Sequence, residues 1–282
     1  LATVYQREGR TLVGLASWAS APASVKLNID FERLGLDPAK VHLYAPRIAA
    51  FQGEVLFTPS DSIPVAPGRG WLLVLDEQSR QVAPAVDLCA GREVLLEDPL
   101  AAEPLAKDWT VTLSKQPGTA IRADGGELRI DGAANVAAYI ERPIPAGARL
   151  VVCRINQRTD GGASWGPGLT LAWPDGKVLR VNLRAEGRFG VDDGRRQILD
   201  GTNLPNTWTQ LAIQLEDKDV VVQASQDHQA WQELARFPRS EFAGDPVAVR
   251  LGKMSPGSKN EDFSTLGPAG LCAIKDFRVL GK

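Results

Sequence analysis

The sequence has few of the residues on which most enzyme centres depend. Its 282 residues include only two histidines, three cysteines and one methionine. Nucleophilic triads need a histidine, but His42 alternates with apolar residues in a strand-like run and His228 follows Asp227 in a turn-like one, so we interpret both as exposed residues. The sequence also lacks an H-E-x-x-H motif and a P-loop. Neither triad chemistry, nor this type of metal centre, nor nucleotide binding is therefore expected.

The three cysteines, Cys89, Cys153 and Cys272, form neither a C-x-x-C pair nor a Cys/His metal pattern. We interpret them as small buried hydrophobic residues. A disulfide is the alternative, because Cys153 and Cys272 both lie in strand-like runs and could pair if those strands are neighbours.

The chain also lacks a strong net charge and a long apolar segment. The formal net charge is -2, which argues against general binding of nucleic acid. The longest apolar runs, such as residues 150–153, are much shorter than the ~20 residues of a membrane span. We therefore expect no nucleic-acid partner and no membrane span.

Helical periodicity is almost absent, whereas short β-branched runs between turn signals are frequent. Five such runs lie in the first part of the chain, at residues 11–16, 24–30, 41–44, 54–57 and 70–75. A turn at residues 8–10 predicts a hairpin, and residues 31–36 predict one helical turn capped by Asp30. At least nine more runs follow in the second part, which predicts an all-β chain with a large sandwich or jelly roll.

Residues 78–92 have little periodicity and resemble a connector. We therefore predict two domains, a small β-sandwich with its connector at residues 1–90 and a larger sandwich at residues 91–282. Four tryptophans in apolar runs are predicted to be core residues: Trp18, Trp71, Trp173 and Trp208.

The second part resembles the concanavalin A-like, laminin G-like jelly-roll superfamily. The segments that carry the resemblance are W-G-P-G-L at 165–169, W-P-D-G at 173–176, S-Q-D-H-Q-A-W at 225–231, L-G-K at 251–253 and I-K-D-F-R-V at 274–279. The third matches an S-x-D-G-x-x-W turn except that His228 replaces the glycine. The superfamily includes glycosidases with an E-x-D-x-x-E strand motif, but this chain shows no such spacing.

The first part resembles the small β-sandwich that follows the catalytic barrel in many glycoside hydrolases. The resemblance rests on G-R-T-L-V-G-L-A-S-W at 9–18 and I-P-V-A-P-G-R-G-W-L-L-V-L at 63–75. Residues 44–52 are similar to a stretch of large, glycoside-hydrolase-like bacterial proteins. The resemblance implies a catalytic domain before Leu1. A chain that starts in a strand-like run fits this, so we expect it to be a fragment or a processed product.

The resemblance to jelly rolls also implies a possible structural calcium ion at a sheet edge. Glu97, Asp98 and Asp276 occupy places comparable to those of the ligands in such domains. Calcium takes six to eight oxygen ligands, many of them backbone carbonyls that a sequence does not reveal.

The most informative pattern is an Arg-x-Asn-x-Arg set that occurs on two strand-like runs. Period-two alternation places Arg154, Asn156 and Arg158 on one face of the first run, and Arg180, Asn182 and Arg184 on one face of the second. If these strands adjoin across the run at 169–173, with Gln210 and Gln214 nearby, one sheet face carries the whole set. Such a face could bind carboxylate or sulfate through arginine and sugar hydroxyls through the amides. A solvated face of ion pairs and a packed face between domains are the alternatives.

Trp165, next to Gly166 in a loop-like segment, is the best candidate for stacking against a sugar ring. The leading interpretation is a non-catalytic, carbohydrate-binding or accessory region of a larger, secreted glycoside-hydrolase-like protein. Its ligand would be a polysaccharide or glycan, either neutral or acidic, and the protein would be extracellular or periplasmic. The alternatives are two purely structural domains that brace a catalytic domain, or a jelly-roll glycoside hydrolase.

Overall fold

The structure is a computed structural model, and it is described here for most of the chain. The described residues are 1–7, 9–21, 23–48, 51–65, 68–82, 86–102, 105–201, 203, 207–226, 230–255 and 269–282. Their contacts divide the chain into two compact units, and the division follows Val86. The predicted boundary between residues 90 and 91 lies four residues further on and stays a prediction.

The first unit consists of seven described strands and one short helix. The strands are β1 Ala2–Arg7, β2 Arg10–Ala16, β3 Ala23–Val25, β4 His42–Ala45, β5 Val55–Phe57, β6 Ile63–Val65 and β7 Gly70–Asp76. Five of them form an antiparallel sheet in the order β1-β2-β7-β4-β5, and β3 pairs with β6. The predicted hairpin is present, because β1 pairs with β2 and Arg7 lies opposite Arg10.

A hydrophobic core forms on one face of the five-stranded sheet. In β2 the burial of side chains alternates, so that Val13 and Leu15 are buried, and Leu43 and Leu75 of the neighbouring strands join them. The predicted run at residues 24–30 keeps the alternation, since Val25, Leu27 and Ile29 pack against this core. However, the strand pairing of this run ends at Val25, because its partner β6 is three residues long.

Helix α1, Phe31–Leu34, confirms the predicted helical turn. The Asp30 side chain accepts a hydrogen bond from the Arg33 N–H at 3.0 Å, and Gly35 ends the helix in the left-handed conformation. Among the described residues the other helical segment is a 3-10 turn at Arg239–Glu241. No helix in the described part of the chain is long and apolar enough to cross a membrane.

The second unit consists of two large antiparallel sheets that pack face to face. Its strands are β8 Val94–Asp98, β9 Thr110–Leu113, β10 Ala120–Asp124, β11 Glu127–Ala133, β12 Ala138–Pro143, β13 Leu150–Asn156, β14 Pro167–Ala172, β15 Val178–Arg184, β16 Arg188–Asp192, β17 Gln197–Asp200, β18 Thr209–Leu215, β19 Asp219–Ser225, β20 Gln232–Pro238, β21 Ala248–Lys253 and β22 Ala269–Leu280. Sheet I has the order β10-β11-β22-β13-β18-β19-β20, with β8 also paired to β22, and sheet II has the order β17-β16-β15-β14-β21-β12-β9. The predicted all-β architecture, a small sandwich followed by a jelly-roll sandwich, is confirmed.

The core of the second unit lies between sheets I and II. Alternate residues of each strand point into it, such as Cys153 and Ile155 of β13 and Val181 and Leu183 of β15. Trp173 is buried as predicted, but Trp18 is 76% exposed, so its assignment to a core was wrong. Trp18 follows the end of β2 and therefore lies beyond the buried alternation of that strand.

The cysteines are free, which agrees with their interpretation as hydrophobic residues. Cys153 and Cys272 are both buried in this core, on the neighbouring strands β13 and β22. The pairing of Asn156 with Ala273 places Cys272 about four residues along the strand from Cys153, a distance of about 13 Å. Burial raises the pKa of both thiols.

Candidate functional site

The two arginine-rich strands lie in different sheets, so the single polar face expected from the sequence does not exist. Strand β13 belongs to sheet I and β15 to sheet II. Only part of the expected surface is present: Arg154 lies opposite Gln210 of β18, and Leu150 lies opposite Gln214. Both strands alternate as predicted, but alternation fixes the face of a strand and not its neighbours, which depend on long-range pairing.

Strand β15 presents its polar residues on the outer face of sheet II. Leu179, Val181 and Leu183 point into the core. Arg180, Asn182 and Arg184 point the other way but are nonetheless only 2%, 0% and 4% exposed. The cover comes from the chain itself, because residues 162–166 and 254–255 contact these side chains.

Arg180 is held mainly by main-chain carbonyl groups. Its guanidinium donates to the carbonyl oxygens of Met254, of Ser255 at 3.2 Å and of Ser164 at 2.6 Å. Asp192 of the adjacent strand lies 3.7 Å away. Burial lowers the pKa of Arg180 to about 10, although the Asp192 charge opposes this. Its donors are thus directed at the chain's own loops.

Asn182 fixes the same loop. Its Nδ2 donates to the carbonyl oxygen of Ala163 at 3.0 Å, with Gly166 further away at 3.5 Å. The Ala185 N–H also donates to the Gly162 carbonyl oxygen at 3.0 Å. The 162–166 segment therefore runs along β15 and covers it.

Arg184 makes fewer hydrogen bonds than Arg180, whose Nε is its one buried guanidinium nitrogen without a partner in the described part of the chain. The Arg184 Nη1 donates to Glu186 at 3.3 Å, whereas Nε and Nη2 are buried and find no acceptor among the described residues. Arg184 also lines a small cavity of about 110 Å³ together with Gln157, Arg158, Asp160 and Asn203.

Asp160, which lines this cavity, belongs to a fully buried ion pair. Lys253 at the end of β21 contacts Asp160, and both side chains are 0% exposed. Asp160 also accepts the Gly162 N–H at 2.8 Å. Burial raises the pKa of Asp160, and the Lys253 charge opposes this shift. The pair ties the end of sheet II to the loop that follows β13.

The polar residues of β13 are mostly engaged as well. Asn156 accepts the Arg158 N–H at 3.0 Å, which stabilises the positive φ of 48° at Arg158. Arg158 Nη2 contacts both carboxylate oxygens of Glu127, at 2.5 and 2.6 Å. Arg154 pairs with Asp276 at 3.3 Å and lies 5.9 Å from the centre of the Trp208 ring. That the four arginines and two asparagines of β13, β15 and the residues next to them contact a ligand stays a prediction.

Trp165 lies in the loop that covers β15 and is half-buried. The same loop carries a motif that our interpretation of the sequence missed, a G-x-S-x-G spacing at residues 162–166. In hydrolases this spacing forms a nucleophile elbow between a strand and a helix. Here it leads into strand β14 instead, and the Ser164 carbonyl accepts a hydrogen bond from Arg180. The context is therefore that of a covering loop.

The predicted calcium ligands lie on adjacent strands but do not form a ready metal site. Asp98 accepts the Leu100 N–H and the Trp109 Nε1–H, both at 2.8 Å, and Asp276 pairs with Arg154. Glu97 lies opposite Arg278. The described residues contain no group of three His, Cys, Asp or Glu side chains that could hold a metal ion. These three side chains do not fit calcium by themselves, and calcium stays a prediction.

The predicted turn at residues 225–231 falls partly outside the described residues, since 227–229 are not described. Its last residue, Trp231, packs with Leu88 and Cys89 on an apolar patch of sheet I formed by Leu150, Val152, Ala212 and Leu280.

Residues 1–76 match the family model of the glycoside hydrolase 123 C-terminal domain. No curated protein is similar enough to the chain to count as a match. The match covers much of the first unit, and it associates this unit with glycoside hydrolases.

The chain is also similar to solved structures at low sequence identity. The GH43 protein BlXynB from Bacillus licheniformis, solved as a mutant, is 13% identical with a TM-score of 0.50, and the match covers 100% of this chain and 65% of that protein. The laminarinase catalytic domain from Thermotoga maritima is 11% identical with a TM-score of 0.47, over 68% of this chain and 98% of that domain. These similarities concern the fold alone.

Proposed function

We propose that the chain is a non-catalytic, accessory region of a larger glycoside-hydrolase-like protein, and that its second unit binds carbohydrate. The observation that carries the proposal is the match of residues 1–76 to the C-terminal domain of glycoside hydrolase 123. A C-terminal domain implies a catalytic domain earlier in the protein, which would be the partner of this region. Because polysaccharides are met outside the cytoplasm, we also propose that the protein is secreted.

The state of the buried carboxylates supports a non-catalytic role. Among its described residues the second unit has four buried carboxylates, and each forms an ion pair: Glu127 with Arg129 and Arg158, Asp160 with Lys253, Asp192 with Arg180, and Asp193 with Arg196. Glycoside hydrolysis needs one carboxyl group that donates a proton and a second, ionised one about 5–9.5 Å from it. Carboxylates that are held by cations suit structural roles better than proton donation.

The region around Arg184 is the place that best supports binding. Arg184, Arg158 and Asn203 line a cavity of about 110 Å³ there, and Trp165 lies in the loop that covers the same strand, β15. Arginine and amide groups suit polar sugar substituents, and an indole ring suits the apolar face of a sugar. The proposed ligand is therefore a glycan, with an acidic glycan favoured by the arginines.

A purely structural role is the second candidate, and the contacts of Arg180 favour it. Three main-chain carbonyls accept hydrogen bonds from this side chain, so it fastens loops and leaves little for a ligand. In that case both units would only brace the catalytic domain. Nothing in either proposal requires calcium.

Affinity electrophoresis of the 282-residue chain through gels that contain neutral or acidic polysaccharides separates these candidates. Retardation by an acidic glycan that fades with salt supports binding through arginine, because salt screens exposed charges. Retardation by a neutral glycan that is insensitive to salt supports carbohydrate binding centred on Trp165. If no polysaccharide retards the chain, the structural role replaces carbohydrate binding.

A further inference from the structure

We propose that the side chains of Lys253 and Asp160 join in an isopeptide bond, an amide that the folded chain forms by itself with the release of one water. The inference goes beyond the proposed function, because it concerns a covalent change within the second unit and not its ligand. It makes the buried ion pair the starting state of a modification site.

The two side chains come from elements of different sheets and meet in the interior. Lys253 is the last residue of β21 in sheet II, and Asp160 lies in the loop that follows β13 of sheet I. Both side chains are 0% exposed, and the Lys253 Nζ contacts the Asp160 Oδ2. The backbone of β22 closes the site, since a Cβ atom at Gly270 would lie 2.8 Å from the Asp160 Cα. Proximity of this kind makes the reaction of an amine with a carboxyl group effectively unimolecular.

Burial also favours the neutral forms of both groups, which are the forms that react. A neutral amine is the nucleophile, and a protonated carboxyl group can lose one oxygen as water. Transfer of one proton from Lys253 to Asp160 removes both charges from a place where charges are costly. Burial raises the pKa of Asp160, as this transfer requires, although the Lys253 charge opposes the shift.

The two oxygens of the Asp160 carboxyl group have different surroundings, and both suit the reaction. Oδ1 accepts the Gly162 N–H at 2.8 Å, a distance at which a donor stabilises the negative charge of a tetrahedral intermediate. Oδ2 contacts the amine and is the oxygen that leaves. Asp160 also lines the cavity of about 110 Å³, which has room for the released water.

The atoms and charges of the reaction balance without a cofactor or an oxidant. One proton moves from the Lys253 ammonium group to Oδ2, the Nζ lone pair attacks the Asp160 Cγ, and the C–N bond forms. A second proton then passes from Nζ to the Oδ2 hydroxyl group, the bond from Cγ to Oδ2 breaks, and water leaves as the carbonyl at Oδ1 forms again. The ion pair becomes one neutral amide and one water.

Such a bond would tie sheet I to sheet II. All three cysteines lie in the described part of the chain and are free, so no disulfide provides this link. The two partners are 93 positions apart in the sequence. A cross-link over this separation closes a long loop and restricts the unfolded chain.

The test is the intact mass of the purified 282-residue chain, measured by mass spectrometry after unfolding in guanidinium chloride. The original chain should weigh one water less than its sequence. Lys253→Met and Asp160→Ala should each have the full mass of their sequences, because one partner is missing. Lys218→Met is the matched control, since Lys218 is exposed in a turn, and it should lose one water like the original chain.

Peptide mapping locates the bond. Trypsin does not cleave after a lysine whose amine is part of an amide, so the digest should contain a branched peptide that joins residues 159–177 to residues 251–258. An Asp-Gly pair such as Asp160-Gly161 also loses one water when it forms a succinimide. That ring opens at mildly alkaline pH and leaves Lys253 cleavable, whereas the isopeptide bond persists.

The decision depends on the original chain, so it stands even if a variant does not fold. A branched peptide together with the loss of one water would establish the bond. An original chain with the full mass of its sequence would overturn the inference and leave Lys253 and Asp160 as an ion pair. A loss of water that disappears at alkaline pH, without a branched peptide, would overturn it as well.

Discussion

Arg180 and Arg184 occupy equivalent positions on one strand but have different surroundings. Both are almost fully buried on the outer face of sheet II. The two terminal nitrogens of Arg180 donate to three carbonyl oxygens and its Nε has no acceptor, whereas both Nε and Nη2 of Arg184 lack an acceptor among the described residues. Alternation in the sequence predicted the face for both residues. It could not distinguish them, because the difference depends on loops that arrive from distant parts of the chain.

The buried pair of Lys253 and Asp160 provides a first prediction on stability. Lys253→Met should lower the free energy of unfolding by about 3–5 kcal/mol, because it leaves Asp160 buried without its counter-charge. The double variant Lys253→Met/Asp160→Asn should be more stable than the single one, since it removes both charges. Urea unfolding measures both values, and a double variant as unstable as Lys253→Met would contradict this explanation.

Asp76 provides a prediction on pH dependence. Burial raises the pKa of the Asp76 carboxyl group, but hydrogen bonds from Arg80 and from the Gln78 N–H, with the charges of Arg80 and Arg10, outweigh burial and hold the pKa below its usual value. A carboxyl group whose pKa is lower in the folded state stabilises the protein above its unfolded pKa of about 4. That stabilisation is lost as the pH falls through the lower pKa that Asp76 has in the folded state.

The chain should therefore lose stability below about pH 4, and Asp76→Asn should lose less in that range. Near neutral pH, the same variant should be less stable than the original chain by about 2 kcal/mol, because the hydrogen bonds to the carboxylate are weakened. Urea unfolding at pH 7 and at pH 3 measures both effects. An unchanged slope of stability against pH in Asp76→Asn would show that Asp76 does not contribute to it.

The sequence predicted the positions of individual strands better than it predicted which strands lie next to each other in a sheet. The runs that became β2, β7, β13 and β15 were found from β-branched residues and alternation, which are local properties. The assignment of β13 and β15 to one sheet failed, because the order of strands in a sandwich depends on pairings between distant segments. The G-x-S-x-G loop shows the same limit, since its covering role becomes visible only once β15 lies beneath it.

Two glycines on neighbouring strands of the first unit allow a matched test of strand packing. A Cβ atom at Gly70 of β7 would lie 2.1 Å from the Leu15 carbonyl oxygen, whereas one at Gly14 of β2 would meet its nearest atom at 4.0 Å. Gly70→Ala should therefore lower the free energy of unfolding by about 1–3 kcal/mol, because backbone atoms must move. Gly14→Ala should change it little. Similar losses for both variants, measured by urea unfolding, would contradict the predicted difference.

At the scale of the whole molecule, the main hydrophobic core of each compact unit is formed by described residues of that unit alone. Leu43 is 1% exposed in the first core, so Leu43→Ala should cost about 2–5 kcal/mol. We expect differential scanning calorimetry of the full chain to show two transitions, of which Leu43→Ala lowers one. A single transition, shifted as a whole by this variant, would show that the two units unfold together.

The most direct test of the central claim is affinity electrophoresis of the original chain and of Arg184→Lys through an acidic polysaccharide, at low and high salt. Binding through Arg184 predicts that the original chain is retarded, that salt reduces the retardation, and that Arg184→Lys migrates almost as it does without polysaccharide. If no polysaccharide changes the migration of the original chain, carbohydrate binding is contradicted. The proposed function of both units would then be to brace a catalytic domain.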